Sequence, residues 1–357
     1  MNKIFIAMNV PTLNRTVYMP FVTCGRASRN NSPSIKRNSS AFPPSLPCSS
    51  FSSHIIRRNT MTVHHSRKAG SPRTSISAPT ATATTTAVTD DMIAVAHELA
   101  DAAAKVTTPY FRTSVPVDVK TDASPVTIAD REAEAAMRSV LALRFPSHAI
   151  FGEEQGFTAA TNDPSTTEYM WVIDPIDGTK SFITGKPLFG TLISLLHLGR
   201  PVLGIIDQPI LRERWVGVHG RKTTLNNQPI TTRPCPSVGS AYLYATTPHM
   251  FSGPSAQAFA RLRDAVRIPL YGCDCYAYGL LAAGHCDLVA EADLKPYDYM
   301  ALVPVIEGAG GVISDWRGGG LRWGVGQASA GIAPPGEVLA AGDAQCHRLA
   351  LELLAWP

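Results

Sequence analysis

The sequence predicts a mixed fold in which an α+β half is followed by an α/β half. Strand-like apolar runs follow one another between residues 149 and 218, whereas strand and helix patterns alternate from residue 241 onward. A loop at Arg233–Gly239 separates the two patterns. We therefore expect an N-terminal α+β half over residues 86–235 that carries the metal site, and a C-terminal α/β half over residues 236–357.

Two helices and five strands are predicted in the first half. Apolar residues recur at helical spacing over Asp90–Phe111 and Thr127–Arg144, and Pro146 stops the second helix. The Gly199-Arg200-Pro201 step predicts a hairpin turn. The predicted strands are Ala149–Phe151, Met170–Ile173, Thr191–Leu198, Val202–Ile206 and Arg214–Val218.

The second half is predicted to alternate between strands and helices. The predicted strands are Ala241–Ala245, Ile268–Tyr271, Cys286–Ala290, Gly311–Ser314 and Glu337–Ala341. The predicted helices are Ser255–Val266, Cys275–Ala283, Pro296–Gly308 and Asp343–Ala355. Such alternation is typical of a sheet with helices packed on its faces.

The N-terminal segment has a composition unlike that of the rest. Residues 1–89 contain eleven Lys and Arg, fourteen Ser and twelve Thr, but no Asp or Glu. This composition is typical of an organelle transit peptide and cannot bury enough apolar surface to order itself. We expect residues 1–85 to be a disordered transit peptide and linker that directs the protein to the chloroplast stroma. A basic arm that stays on the protein, or a mitochondrial peptide, is the alternative.

Charge and cysteine content narrow the class of function. Residues 90–357 carry 21 of the 32 basic residues and all 28 acidic residues, so their formal net charge is −7. That balance argues against a nucleic-acid surface. No run approaches eighteen apolar residues, which argues against a membrane span. Five irregularly spaced cysteines beyond residue 90 indicate reduced thiols rather than disulfides or a zinc site.

The run Trp171–Thr179 places two carboxylates at the end of a predicted strand. Asp174 and Asp177 flank a Pro-Ile step and precede Gly178, so we expect the strand to stop before Pro175 and both acids to lie in a tight turn. Their mutual repulsion is costly unless a cation or a shared proton neutralises it. Mg²⁺ prefers such oxygen ligands.

Other acids follow further predicted elements. Glu153 follows the strand Ala149–Phe151, Glu291 follows Cys286–Ala290, and Asp298 opens a helix whose N-terminus favours anions. Asp130 has a structural alternative, because Thr127 and Asp130 form a capping-box pattern. Taken singly, each acid has an ordinary explanation as a cap or a surface charge. Together they predict a cage of carboxylates.

On these motifs, residues 90–357 resemble the inositol monophosphatase family of Mg²⁺-dependent, lithium-sensitive phosphatases. The motifs are Gly-Glu-Glu at 152–154, Asp-Pro-Ile-Asp-Gly-Thr at 174–179, and Asp298 ahead of Glu-Gly-Ala-Gly-Gly at 307–311. The resemblance implies a layered αβαβα sandwich and a homodimer or higher homo-oligomer. It also implies a phosphoric monoester hydrolase in which a metal-activated water attacks the phosphate.

The resemblance further assigns roles to residues. It implies two or three Mg²⁺ ions, a catalytic water oriented by Asp130 and Thr179, and a catalytic part for Glu153. The implied metal ligands are Glu153, Asp174, Asp177, Asp298 and the carbonyl of Ile176. The implied contacts to substrate or metal come from the backbone N–H groups of Gly178 and Thr179 and from Lys120. The Gly-rich Lys-Ser/Thr loop of nucleoside triphosphatases is absent from the sequence.

Details of the motifs are similar to the histidinol-phosphate phosphatase branch of the family. They are Lys180-Ser181-Phe182 after the Gly-Thr pair and Tyr297 before Asp298. The expected substrate is therefore L-histidinol phosphate, a step of histidine biosynthesis. Asp274 and Glu291 are expected to bind its cationic part, unless Asp274 only caps the helix Cys275–Ala283.

Other functions remain as alternatives. One is hydrolysis of inositol monophosphate or L-galactose 1-phosphate, either instead or as a second activity, since a metal site alone does not choose the alcohol. A non-catalytic scaffold that keeps the fold is another, although every matched ligand position holds an acid.

Overall fold

A computed structural model describes residues 88–120, 125–159, 168–324 and 336–355. The predicted transit peptide and linker at residues 1–85 lie outside the described residues. Among the described helices, none combines the length and apolar character needed to cross a membrane.

Every predicted strand is present, and so is every predicted helix except one that is divided in two; most bounds are shifted. The helices are α1 Asp90–Tyr110, α2 Ile128–Arg144, α3 Thr179–Ile183, α4 Gly253–Ala265, α5 Cys275–Ala282, α6 Pro296–Tyr299, α7 Leu302–Gly308 and α8 Ala344–Leu354. The strands are β1 Val117–Val119, β2 Pro125–Thr127, β3 Ala149–Gly152, β4 Gly156–Thr158, β5 Tyr169–Asp177, β6 Gly190–His197, β7 Arg200–Gln208, β8 Glu213–Val218, β9 Thr224–Leu225, β10 Gln228–Pro229, β11 Tyr242–Ala245, β12 Ile268–Tyr271, β13 Leu288–Glu291, β14 Val312–Asp315 and β15 Val338–Ala341.

The end of β5 differs from the prediction. The strand does not stop before Pro175 but pairs with β6 as far as Asp177, with a register irregularity between Asp174 and Asp177. Proline is tolerated at such an irregularity because no ladder N–H is needed there. The carbonyl of Pro175 accepts a hydrogen bond from the Thr191 hydroxyl at 2.8 Å. Both acids therefore lie within the last residues of a strand rather than in a turn.

Two other predicted boundaries are wrong. The β6–β7 hairpin turns at Leu198 and Gly199, both at positive φ, rather than at Gly199–Pro201. The helix expected over Pro296–Gly308 is divided into α6 and α7. Pro304 has no N–H to offer the carbonyl of Met300, so the hydrogen-bond ladder is interrupted between them.

The described elements form five layers. The eight-stranded sheet has the order β10-β9-β8-β7-β6-β5-β3-β4, the five-stranded sheet has the order β12-β11-β13-β15-β14, and β1 and β2 pair separately. Helices α1 and α2 pack on one face of the large sheet, and α5 and α7 lie between the sheets. Helices α4 and α8 pack together on the outer face of the small sheet.

This arrangement confirms the predicted αβαβα sandwich. The last strand of the large sheet ends at Pro229 and the first of the small sheet begins at Tyr242. The division into halves at residue 235 stays a prediction.

Two paired glycines bring α7 into direct contact with the large sheet. Gly204 of β7 lies opposite Gly217 of β8. A Cβ on Gly204 would overlap the carbonyl of Ala301, and a Cβ on Gly217 would overlap the backbone of Pro304. Backbone therefore rests on backbone at this place, which we call the glycine seat (Gly204 and Gly217). The seat holds α7, and the short α6 before it, against the large sheet.

Candidate active site

Three carboxylates from two elements converge at one end of the large sheet. Asp174 and Asp177 come from the end of β5, and Asp298 comes from α6. One ligand atom from each lies within 4.8 Å of the others. Asp177 and Asp298, together with Glu153, line a cavity of about 280 Å³. Three of the four predicted carboxylate ligands thus lie together, and Glu153 lines the same cavity without belonging to that group.

Backbone N–H groups orient all three acids. Asp174 Oδ1 accepts from the N–H of Ile176 at 3.0 Å, and Asp298 Oδ2 accepts from the N–H of Lys295 at 2.6 Å. Asp177 Oδ2 accepts from the N–H of Cys275, at the start of α5, at 2.6 Å. Sequence reasoning missed this last contact, because a backbone donor leaves no mark in the residue types.

Burial and mutual repulsion make the cluster electrostatically unfavourable without a cation. Burial raises the pKa of Asp174 well above its ordinary value, and the charges of Glu153, Asp177 and Asp298 raise it further. Burial likewise raises the pKa of Asp177, and the charge of Asp274 adds to the shift. Burial also raises the pKa of Asp298, to about 8. An all-oxygen donor set with excess negative charge fits a hard divalent cation.

Lys120 and Glu153 meet at the edge of the cluster. The Nζ of Lys120 lies 2.7 Å from Glu153 Oε1 and 2.6 Å from Glu154 Oε1. Burial alone would lower the pKa of Lys120, but these two carboxylates outweigh it and raise the pKa, so the ammonium stays charged. The structure therefore places Lys120 beside one predicted metal ligand.

Asp130 does form the predicted capping box. Its Oδ2 accepts from the N–H and the hydroxyl of Thr127, at 2.8 and 2.6 Å. Its Oδ1 is buried and has no partner within the described chain. An unsatisfied buried oxygen is costly, so this atom marks a place for a water or ligand. The Thr179 hydroxyl donates to the carbonyl of Ile176 at 3.2 Å, and its cooperation with Asp130 stays a prediction.

Gly178 connects β5 to α3 in a conformation that favours glycine. Its φ is +83°, and a Cβ there would lie 2.8 Å from Asp274 Oδ2. The turn therefore brings the backbone of Gly178 and Thr179 directly beside the cavity, which both residues line.

Replacing Gly178 by Ala is expected to lower the stability of the folded protein. The left-handed backbone costs roughly 1–2 kcal/mol for a residue with a Cβ, and the contact with Asp274 adds to that cost. Gly220→Ala is the matched control, because Gly220 has φ +77° and open space around its Cβ position. Urea unfolding should show a larger loss for Gly178→Ala, and equal losses would contradict the crowding argument.

Asp274 and Glu291 line the same cavity beyond the acid cluster. Asp274 stands at the N-cap position of α5, yet its side chain makes no capping hydrogen bond. Its oxygens accept instead from the hydroxyls of Ser181 at 3.0 Å and Thr246 at 3.4 Å. The alternative that Asp274 only caps the helix is therefore wrong.

Glu291 is held by two donors. It accepts from the N–H of Thr246 at 2.8 Å and from the hydroxyl of Tyr278 at 2.9 Å. Burial raises the pKa of both Glu291 and Asp274, and their hydrogen bonds oppose this rise. Neither Thr246 nor Tyr278 carries a sequence signal for this role, since each lies far along the chain from its partner.

Comparison with known proteins places the chain among phosphatases. The profile of the inositol monophosphatase family matches residues 89–350. A protein of Arabidopsis thaliana named bifunctional phosphatase IMPL2, chloroplastic, is 55% identical over 267 residues, which are 75% of this chain and 76% of that protein. A histidinol-phosphatase of Chlorobaculum parvum is 37% identical over 63% of this chain and 85% of its own length.

A solved structure shows the same fold. The inositol monophosphatase of Zymomonas mobilis is 46% identical, with a TM-score of 0.65 over 74% of this chain and 97% of that one.

Proposed function

The chain belongs to the inositol monophosphatase family and is a phosphoric monoester hydrolase, and on that premise we propose that it hydrolyses L-histidinol phosphate to L-histidinol and phosphate. The observation that carries this proposal is the pair of carboxylates, Asp274 and Glu291, in the cavity that Asp177 and Asp298 of the acid cluster also line. The relatives named histidinol-phosphatases support it.

The acid cluster is proposed to hold Mg²⁺, with two or three ions present. The ligands would be the carboxylates of Glu153, Asp174, Asp177 and Asp298 and the carbonyl of Ile176. When bound, magnesium supplies a Lewis acid for the phosphate oxygens and lowers the pKa of a bound water.

The chain's own residues would position the reactants around the metal. The unpartnered Oδ1 of Asp130 and the hydroxyl of Thr179 would orient the attacking water. The N–H groups of Gly178 and Thr179 would donate to the phosphate, and the ammonium of Lys120 would add positive charge beside Glu153. Phosphoryl transfer requires mainly such positioning and charge stabilisation.

The substrate's cationic end explains the second pair of acids. Histidinol phosphate carries an ammonium group and an imidazole that can be protonated. Asp274 and Glu291 would pair with these groups, whereas the uncharged hydroxyls of an inositol would leave the two carboxylates without a cation. Ion-paired hydrogen bonds are stronger than neutral ones, so the pair favours an amino alcohol ester.

Hydrolysis of inositol monophosphate or L-galactose 1-phosphate is the second candidate. Its support is the Arabidopsis relative named bifunctional and the Zymomonas structure described as an inositol monophosphatase. The metal cluster itself does not discriminate between alcohols, so both activities can share one site.

The protein is proposed to act in the chloroplast stroma as a homodimer or higher homo-oligomer. The acid-free, Ser/Thr-rich composition of residues 1–85 supports import, and the Arabidopsis relative is named chloroplastic.

A phosphate-release assay tests the proposed function. The purified protein is incubated with L-histidinol phosphate, inositol 1-phosphate or L-galactose 1-phosphate, with MgCl₂ and then with EDTA. We expect the highest kcat/KM with histidinol phosphate, loss of release in EDTA, recovery on adding Mg²⁺, and inhibition by LiCl. Equal or higher kcat/KM with inositol 1-phosphate would favour the second candidate, and release that EDTA does not reduce would contradict the metal site.

A further inference from the structure

Helix α2 carries a second buried carboxylate one turn beyond Asp130. Glu134 is fully buried. Its Oε2 accepts from the backbone N–H of Glu154 at 2.7 Å, and its Oε1 accepts from the N–H of Gln155 at 3.0 Å. Both donors belong to the turn between β3 and β4, and Glu153 is the first residue of that turn.

The whole backbone of this turn is fixed by hydrogen bonds. The third N–H, that of Glu153, donates to the carbonyl of Ile173 on β5 at 3.3 Å. Every N–H of the three turn residues is therefore bonded, and Glu134 accepts two of the three. The turn cannot shift without breaking a charge-assisted hydrogen bond, which is stronger than a neutral one.

Arg138 makes the buried charge of Glu134 tolerable. Its Nε donates to Glu134 Oε1 at 2.8 Å. Its terminal nitrogens donate to the carbonyl of Gly156 at 2.6 Å and to the hydroxyl of Thr158 at 2.9 Å, both on β4. A buried carboxylate needs such pairing to offset its desolvation. The ion pair thus ties α2 to both the turn and the following strand.

The position of the Glu153 carboxylate depends on the β3–β4 turn more than the positions of the other three acids depend on neighbouring loops. Asp174, Asp177 and Asp298 each accept a backbone N–H that orients the carboxylate. The Glu153 carboxylate instead meets the long side chain of Lys120. The turn places the Cα of Glu153 and so limits where its oxygens can lie.

We propose that Glu134 is a positioning residue that holds Glu153 in place for metal binding by clamping the β3–β4 turn. The inference rests on the proposed role of Glu153 as a metal ligand. Gly152 supports it, because a Cβ at that position would overlap the Glu134 carboxylate. The close approach shows how tightly the carboxylate is packed against the strand that leads into the turn.

The experiment measures Mg²⁺ affinity of the full chain by titration calorimetry for wild type and Glu134→Gln. Loss of residues that orient metal ligands typically weakens affinity about 10- to 100-fold. We therefore expect the dissociation constant for Mg²⁺ to rise at least about tenfold. Phosphate release at saturating Mg²⁺ should recover toward the wild-type kcat, because the catalytic groups themselves are unchanged.

Asp287→Asn is the matched control. Asp287 is also a buried carboxylate, and it accepts from Arg233 by two bonds of 2.6 Å and from the N–H of Tyr242 at 2.7 Å. Asp287 lies just before β13, at the opposite end of that strand from Glu291, which lines the cavity. Its loss should lower the urea midpoint as Glu134→Gln does, but leave the Mg²⁺ dissociation constant unchanged.

Two results would overturn the inference: a folded Glu134→Gln protein with wild-type Mg²⁺ affinity, or an equal loss of affinity in Asp287→Asn. If Glu134→Gln does not fold, Gly152→Ala makes the same test, since its methyl group displaces the Glu134 carboxylate. Its Mg²⁺ affinity should fall, and wild-type affinity would count against the clamp. Wild-type protein that binds no Mg²⁺ contradicts the proposed function instead, whatever the variants show.

Discussion

Replacing Asp174 by Asn is expected to reduce phosphate release by about 10³-fold or more, because a metal's transition-state stabilisation is worth several kcal/mol. Asn keeps an oxygen that can accept from the N–H of Ile176, as Asp174 does at 3.0 Å. The loss should therefore come from the missing charge and not from a collapsed strand end.

The same variant should be more stable than wild type when metal is removed. Burial and three neighbouring acids raise the pKa of Asp174 in the folded protein. A carboxyl whose pKa is raised on folding contributes stability at low pH, and that contribution is lost as the pH rises through the folded pKa. The advantage of Asp174→Asn in EDTA should thus grow as the pH rises above about 4, the ordinary pKa of an aspartate.

Urea unfolding in EDTA at several pH values, together with phosphate release in Mg²⁺, checks both effects. Asp207→Asn is the control, since Asp207 is a buried acid of the same sheet that pairs with Arg214 at 2.6 Å. Asp207 lines a different cavity from the acid cluster, so this variant should keep most of its activity. An Asp174→Asn protein that is active, or that is less stable than wild type in EDTA at every pH, would contradict the metal-cage interpretation.

Asp274→Asn is expected to reduce the preference for histidinol phosphate over inositol 1-phosphate by about 10- to 100-fold. A hydrogen bond to a charged group contributes roughly 1.5–3 kcal/mol, and each 1.36 kcal/mol is tenfold in rate. The preference is the ratio of the two kcat/KM values. The ratio matters because Asp274 also lies near Asp177, so a change in metal affinity would affect both substrates alike.

Ser181→Ala separates charge from positioning in this experiment. The Ser181 hydroxyl donates to Asp274 Oδ2 at 3.0 Å, so its removal loosens the carboxylate without removing the charge. Its effect on the substrate ratio should be smaller than that of Asp274→Asn. An unchanged ratio in Asp274→Asn would remove Asp274 from substrate recognition.

Local patterns were sufficient to predict the acid cluster, because its members stand where apolar strands end or a helix begins. Glu153 follows β3, Asp174 lies near the end of β5, and Asp298 lies in the first turn of α6. Elements of a layered fold end at shared edges, so acids at those ends converge. The break between α6 and α7 was missed, although Pro304 within the predicted helix Pro296–Gly308 was a signal for it.

The remaining features depend on contacts between distant parts of the chain. The extension of β5 through Pro175 requires β6 as a partner. Asp274 turns away from its own helix because its φ is +44° and because Ser181 and Thr246 supply donors. In the sequence, Glu134 occupies an ordinary position of a helix. Its hydrogen bonds with the N–H groups of Glu154 and Gln155 are seen only in the folded structure.

The glycine seat determines which substitutions near α7 this protein tolerates. Where a helix meets a sheet through side chains, each conservative exchange in the core alters their spacing slightly. Here main-chain contacts at Gly204 and Gly217 fix the distance between α7 and the large sheet. Exchanges among neighbouring aliphatic residues therefore leave that distance unchanged. Substitutions in the core therefore leave Asp298, which lies just before that helix, in place. A side chain at either glycine would displace α7 from the sheet and would move Asp298 with it.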